Sequence, residues 1–278
     1  MDGSSAALLR AVARSSMNRL SLLLFFLLAM SASAQSGFTP PRLADGHPDF
    51  GGIWMAGSLS AAFNVEEHVA SYGTPAGPSV ISDPPGGKLP YLPGMRERAA
   101  DNDKHRERDP VGQCHMHGVP RVMFPPFPLE IVQDGNYVVI LAETEHGVRI
   151  IPTDSRPFLK DYSSWNGDSR GRWEGDTLVV EVRGLNGRGW LDQAGNFVGA
   201  GATVVERFLM TGKDTLDYQA TVTNPSVFSR PFTLRVPLRR RPANVELLEY
   251  GCIEGERDAA HLPPANGVDG GVNSGVNK

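Results

Sequence analysis

Alternation of apolar and polar residues dominates the chain after residue 114 and predicts β-strands. In the stretch LDYQATVT, Leu216, Tyr218, Ala220 and Val222 alternate with polar residues. This two-residue period is typical of a strand with one buried face and one solvated face. No long helical period interrupts the pattern, so we predict that this part of the chain is built from strands.

Short turn sequences separate the predicted strands and indicate hairpins. Asp134-Gly135-Asn136 divides LEIVQDGNYVVILAE, Glu174-Gly175-Asp176 precedes TLVVEV, and Thr211 to Asp214 divides a third pair. GVRIIPTD, FTLRVPLR and VELLEYGCIE are further strand candidates. We predict about eight to ten strands in an all-β antiparallel meander. It would form a lipocalin-like barrel or curved sandwich with long N-terminal loops and one short helix.

The chain before residue 114 has a different pattern. Gly52 and Trp54 mark a first strand, residues 70–94 are rich in proline and glycine, and PGMRERAADNDKHRER from Pro93 predicts a short charged helix. The run from Val138 to Ala142 is apolar on both faces, so its outer face needs a cover. The segment 55–113 is the predicted cover.

The N-terminus predicts export. Three arginines precede an apolar run from Leu20 to Met30, and Ala32-Ser33-Ala34 follows as a cleavage signature. The run is too short for a membrane-spanning helix, which needs about 20 residues. We therefore divide the chain into a signal peptide (1–34), an N-terminal extension (35–113), a main barrel domain (114–261) and a disordered, Gly- and Asn-rich tail (262–278). The predicted location is periplasmic or secreted, without stable membrane insertion after cleavage.

Charge and cysteine content narrow the class of protein further. The whole chain carries a net charge of −4, and signal cleavage would remove three arginines and one aspartate, leaving a more acidic protein. This balance argues against a nucleic-acid partner. Cys114 and Cys252 are the two cysteines. In an oxidising compartment a lone pair of this kind predicts a disulfide.

The segment CHMHGVPR, residues 114–121, raises the question of a metal site. His115 and His117 would share one face of a strand, and imidazole is a common ligand of transition metals. However, Pro120 interrupts such a strand, and no carboxylate follows until Glu130. We favour a disulfide-linked turn shaped by Gly118 and Pro120, and predict neither a metal nor another cofactor.

Several longer segments resemble a known group of proteins. DGHPDFGGIWM, CHMHGVPR, GDSRGRWEGDTLVVEVRGLN, WLDQAGN, VVERF and LLEYGCIE occur in this order over nearly the whole exported chain. They resemble a large group of exported bacterial proteins of unknown function that share a GRWEGDTLVV segment and a CxxxGxPR segment. The resemblance implies no activity. The Gly52-x-Trp54 start of the first strand is also similar to that of lipocalin-type barrels, an analogy of fold only.

Candidate functional residues concentrate between Trp165 and Tyr218. We predict that aromatic side chains bind a small, largely apolar ligand in a barrel cavity. The ligand-binding candidates are Trp165, Trp173, Trp190 and Tyr218. An alternative is a cofactor-independent lyase, isomerase or hydrolase, because a charged residue that points inward must be paired or functional. The catalytic candidates are Asp168, Glu206 and Arg207. A structural or partner-binding envelope protein is the third hypothesis.

Overall fold

The computed structural model describes residues 38–71 and 74–252. The predicted signal peptide and the predicted disordered tail lie outside these residues. The strands are β1 (Gly52–Ala56), β2 (Ile81–Asp83), β3 (Leu129–Asp134), β4 (Tyr137–Ala142), β5 (Gly147–Pro152), β6 (Asp168–Glu174), β7 (Thr177–Arg183), β8 (Thr203–Gly212), β9 (Thr215–Thr223), β10 (Phe232–Arg235) and β11 (Leu238–Arg240). The helices are α1 (Ser60–Phe63) and α2 (Met95–Lys104), with short 3₁₀ turns at Arg106–Arg108, Pro110–Gln113, Arg121–Met123 and Thr144–His146.

One antiparallel sheet forms a nearly closed barrel. Nine strands follow the order β5-β4-β3-β1-β11-β9-β8-β7-β6, and β10 and β2 branch from β9. The ends of this order, β5 and β6, lie side by side without strand pairing, and we call their junction the seam. Gly171 of β6 makes this approach possible, because a Cβ there would lie 3.0 Å from Cγ2 of both Ile151 and Thr153. The arrangement confirms the predicted all-β barrel.

The predicted turns are present. Two-residue connections at Gly135-Asn136, Gly175-Asp176 and Lys213-Asp214 join β3 to β4, β6 to β7 and β8 to β9. FTLRVPLR forms two short strands, β10 and β11. The strand prediction for VELLEYGCIE is wrong for its described part, residues 245–252, which contain no strand. That segment instead runs toward Cys252, and the Leu248 N–H donates a hydrogen bond to the Glu143 carboxylate.

The barrel interior holds the apolar faces that the alternation predicts. Along β9 the inward residues Leu216, Tyr218, Ala220 and Val222 are fully buried, in agreement with the two-residue period. Burial of such side chains contributes about 25 cal/mol per Å² of apolar surface removed from water. Large side chains that fill the core include Trp54, Phe50, Phe124, Phe197, Phe208 and Phe232. The interior is therefore a packed core along these strands.

The N-terminal extension is part of the sheet. β1 lies between β3 and β11, so the predicted boundary at residue 114 falls inside the connection between two neighbouring strands. The charged helix appears as α2, with Ala99 as its buried residue. None of the helices among the described residues is long and apolar enough to cross a membrane.

Part of the predicted cover, segment 55–113, packs beside β10. Within segment 55–113, β2 pairs with β10, and the Tyr91 ring packs against Phe197 and Phe228. On β5, Val148 and Ile150 remain 51% and 57% exposed. On β4, whose outer face is the one that needs a cover, Tyr137, Val139 and Leu141 are partly buried, and the assignment of 55–113 as their cover stays a prediction.

Candidate functional site

The CHMHGVPR segment forms a turn held by a disulfide, as predicted. Cys114 bonds to Cys252, with 5.7 Å between their Cα atoms. The side chains of the segment then diverge: the His115 ring stacks on Trp165 at a centroid distance of 5.0 Å, while His117 bonds to Glu145. The two histidines thus have different partners. Within residues 38–71 and 74–252, no three His, Cys, Asp or Glu side chains come together as a metal-binding group.

A cleft of about 310 Å³ lies beside the seam, and we call it the seam cleft. Its apolar lining residues are Met116, Val148, Ile150, Leu159, Tyr162 and Trp165. Four of these, Val148, Ile150, Leu159 and Tyr162, are exposed. Clustered apolar exposure of this kind is typical of binding surfaces rather than of ordinary protein surface.

Two polar side chains of the seam cleft have unused hydrogen-bonding atoms. Among the described residues, Arg149 Nε and Asn166 Oδ1 are buried and have no hydrogen-bond partner. One is a donor and the other an acceptor. A buried polar group without a hydrogen-bond partner lowers the stability of the folded protein by about 1–3 kcal/mol. A ligand group that forms a hydrogen bond with either atom would therefore bind favourably. The cleft therefore combines apolar walls with a small polar base.

Asp168 anchors the loop that borders the seam cleft. Its Oδ2 accepts a hydrogen bond of 2.7 Å from the Leu159 N–H, and its Oδ1 pairs with the Arg170 guanidinium. Arg170 also donates to the Pro157 carbonyl, so the two residues hold the same loop from both sides. Both carboxylate oxygens of Asp168 are thus occupied, and their contacts support a positioning role.

Glu206 lies in the barrel interior, where it forms a closed cluster. Arg149 donates to both of its oxygens at 3.0 and 2.5 Å, and the Tyr218 hydroxyl donates at 2.8 Å. A further Nη bond of Arg149 reaches Ser169 on β6. Burial, together with the negative charge of Glu206, raises the pKa of Tyr218 well above its ordinary value. Burial alone would lower the pKa of Arg149, but Glu206 outweighs it and the pKa is raised.

A second cleft, of about 440 Å³, lies between the 3₁₀ turns and the C-terminal segment, and we call it the dyad cleft. Its lining includes Arg106, Asp109, His117, Arg121, Phe124, Phe127, Glu145, Tyr250 and Cys252. The His117 Nδ1 lies 2.5 Å from Glu145 Oε2, and Arg121 donates two parallel hydrogen bonds to Asp109 at 2.7 and 2.6 Å. Burial and the nearby charge of Glu145 raise the pKa of Tyr250.

The backbone is strained at the hydrogen-bonded pair of His117 and Glu145, which we call the dyad. Glu145 and His146 have φ values of +52° and +48°, in the left-handed region that disfavours residues with a Cβ. Each such residue costs about 1–3 kcal/mol and persists only where surrounding contacts hold it in place. Here the strained turn directs the Glu145 carboxylate toward His117.

The structure brings only some of the predicted residues together. Trp165 and Asp168 share the seam cleft, while Glu206 and Tyr218 share the interior cluster. Trp190 joins Trp165 in a narrow gap of about 20 Å³. The remaining two candidates are separate: the Trp173 ring stacks on His47 at 4.7 Å, and Arg207 pairs with Glu174 on the outer face.

Sequence reasoning missed Arg149, Asn166 and Glu145. Arg149 and Glu145 meet partners that lie 57 and 28 positions away along the chain, so no local motif marks them. The sequence did contain one signal, which is the charged Arg149 inside the apolar run GVRIIP. Such a run predicts a buried strand, and a charged side chain that is buried needs a partner of opposite charge.

Comparisons with known proteins add no family to this description. No protein-family model matches the chain, and no curated protein matches it. The chemistry of the two clefts is therefore the basis for assigning a function.

Proposed function

We propose that the chain is an exported barrel protein that binds a small, largely apolar molecule in the seam cleft. The observation that carries this proposal is the exposed apolar wall formed by Val148, Ile150, Leu159 and Tyr162 around a cleft of about 310 Å³. That volume lies at the lower end of the roughly 300–1,000 Å³ of small-molecule sites. Covering these side chains would favour binding by about 25 cal/mol per Å².

The polar base of the cleft suggests the head group of the ligand. Arg149 Nε can donate one hydrogen bond and Asn166 Oδ1 can accept one. A carboxylic acid or primary amide carries one acceptor and one donor close together, so it matches this pair. The proposed ligand is therefore an apolar body with one such group, and Trp165 provides an aromatic surface beside it.

A pair of matched substitutions tests the site. Val148 lines the cleft, whereas Val132 is a similarly exposed valine on β3 that does not line it, at 44% exposure. We expect the neutral apolar fluorophore N-phenyl-1-naphthylamine to bind the wild type and to quench or shift tryptophan emission. Val148→Lys should weaken binding by about tenfold or more, because an ammonium group would enter the apolar wall. Val132→Lys should bind as the wild type does.

Equal binding by both variants would contradict the seam cleft as the site. The natural ligand is addressed separately by native mass spectrometry of protein purified from an exporting host. A released organic mass with an acid or amide group would agree with the proposed head group. A released compound without hydrogen-bonding groups would contradict it.

Export is part of the proposal and rests on two features. The signal-like N-terminus is a sequence pattern, and the Cys114–Cys252 disulfide is typical of oxidising compartments. Expression of the full chain should give a mature protein that begins at Gln35, detected by intact mass. Retention of residues 1–34 in the exported fraction would contradict the predicted cleavage.

We also propose membership in the group of exported bacterial proteins with the GRWEGDTLVV and CxxxGxPR segments. In this chain the first segment forms the β6–β7 hairpin, and the second carries the disulfide and the Arg121–Asp109 pair. Both segments therefore have structural roles in this chain. A structure of another protein with both segments should show the same hairpin and turn.

A further inference from the structure

The dyad cleft carries a second inference, independent of the seam cleft because no lining residue is shared between the two. His117 and Glu145 are both deeply buried at its wall, with side chains 8% and 6% exposed. A carboxylate bonded to one ring nitrogen of histidine fixes the tautomer and the ring orientation. With Glu145 ionised, Nδ1 carries the proton and donates it, and the lone pair is on Nε2.

Both members of the dyad keep an unused polar atom. Within the described chain, Glu145 Oε1 is buried without a hydrogen-bond partner, and no protein group bonds to His117 Nε2. The neighbouring Arg121–Asp109 pair is different, because each Asp109 oxygen accepts one guanidinium N–H. His117 therefore lines the cleft with a free ring nitrogen, which is the arrangement that a proton acceptor in catalysis needs.

The lining of the cleft indicates the class of substrate. Its charged groups are two arginines, Arg106 and Arg121, and two carboxylates, Asp109 and Glu145, so their formal charges cancel. A neutral molecule suits such a lining better than an ion. Phe124, Phe127 and Tyr250 offer an aromatic wall for an apolar group.

We propose that His117 is the general base of an esterase site that hydrolyses neutral carboxylic esters. Nε2 takes a proton from a water molecule as the water oxygen bonds to the ester carbonyl carbon. The tetrahedral adduct then expels the alcohol oxygen, which takes the proton back from Nε2. Ester and water are converted to acid and alcohol with no other reactant. Glu145 is a positioning residue that holds the ring and balances the imidazolium charge.

The test uses the full mature protein and p-nitrophenyl butyrate, followed by release of p-nitrophenol. His117→Gln should lower kcat/KM by about 100-fold or more, which is the usual contribution of a general base. His115→Gln is the matched control, since that ring stacks on Trp165 and takes no part in the dyad. It should retain wild-type activity. Circular dichroism and thermal melting establish that each variant is folded.

Glu145→Gln separates positioning from a structural role. It keeps the size of the side chain and an oxygen acceptor but removes the charge, so kcat should fall at least about tenfold while KM stays unchanged. In ¹⁵N-histidine NMR, the wild-type His117 signals should show a protonated Nδ1 and an unprotonated Nε2, and the variant should shift toward the other tautomer. Equal hydrolysis by wild type and His117→Gln, whether fast or slow, would overturn the proposal. A protonated Nε2 in the wild type at neutral pH would overturn it as well.

Discussion

Two buried acid–base pairs in this molecule differ in how many of their carboxylate oxygens accept hydrogen bonds. In the barrel interior, both oxygens of Glu206 accept hydrogen bonds, from Arg149 and from the Tyr218 hydroxyl. At the dyad cleft, Glu145 has one oxygen bonded to His117 and the other without a partner among the described residues. One pair lies among strands, the other in a strained turn beside open space.

The two pairs show that a buried charge can serve either packing or chemistry, depending on whether its hydrogen-bonding atoms are all occupied. A buried pair in which both carboxylate oxygens are occupied contributes to the specificity of packing but has no free acceptor for a proton. A buried pair with a free oxygen and a free ring nitrogen retains that capacity at a cost in stability. We therefore assign a structural role to the Glu206 carboxylate and proton transfer to the His117–Glu145 pair. Three unfolding measurements test the structural part of this division.

The largest effect is expected at the interior pair. Arg149→Met removes the cation and leaves Glu206 buried, so the free energy of unfolding should fall by about 3–5 kcal/mol. Urea unfolding at neutral pH measures the change. The double variant Arg149→Met, Glu206→Leu should recover a large part of it, because the uncompensated charge is gone. A single variant as stable as the wild type would show that the interior pair is not structural.

A third buried carboxylate, Asp192, extends the comparison because its direct partners are the neutral N–H groups of Val65 and Asn196. Burial raises the pKa of Asp192 to about 6. The unfolded value is about 3.9, so the folded protein binds this proton more tightly. Its contribution to stability is fully present below about pH 4 and is lost as the pH rises through 6. The loss is about 3 kcal/mol.

Urea unfolding of the wild type and of Asp192→Asn between pH 4 and pH 7 isolates this contribution. The stability of the wild type relative to the variant should fall over that range, since the other titrating groups are common to both proteins. A parallel pair of pH profiles would mean that Asp192 is ionised throughout, with its N–H donors compensating for burial.

The smallest effect is expected on the outer face of β8, the strand that carries Glu206. Arg207 neighbours Glu206 in sequence but is 44% exposed and pairs with Glu174. Arg207→Met should change the free energy of unfolding by about 1 kcal/mol or less, since exposed pairs contribute little. It also serves as the matched control for Arg149→Met. An effect as large as that of Arg149→Met would contradict the assignment of stability to the interior pair.

The fold could be predicted from sequence further than the site could. Turn residues such as Gly175-Asp176 act on their immediate neighbours, so the hairpins were predictable from a few letters. The position of β1 between β3 and β11 was not, because strand order depends on contacts between distant segments. In the same way, the alternation along β8 predicts that one of the neighbours Glu206 and Arg207 points inward, but it does not decide which, and the partner Arg149 could not be identified. Tryptophans were weak guides, since Trp173 found its partner in the distant His47.

The seam has a consequence for how this protein behaves at high concentration. Unpaired strand edges recruit other chains, and many β-proteins protect them with charges, prolines or bulges. Within the described chain, β5 and β6 each pair with one strand only, so each has an edge without a strand partner. They protect each other because Gly171 lets Ile151 and Thr153 pack close. A bulkier residue at position 171 would separate the two edges, and the first result would be self-association of a protein that is still folded.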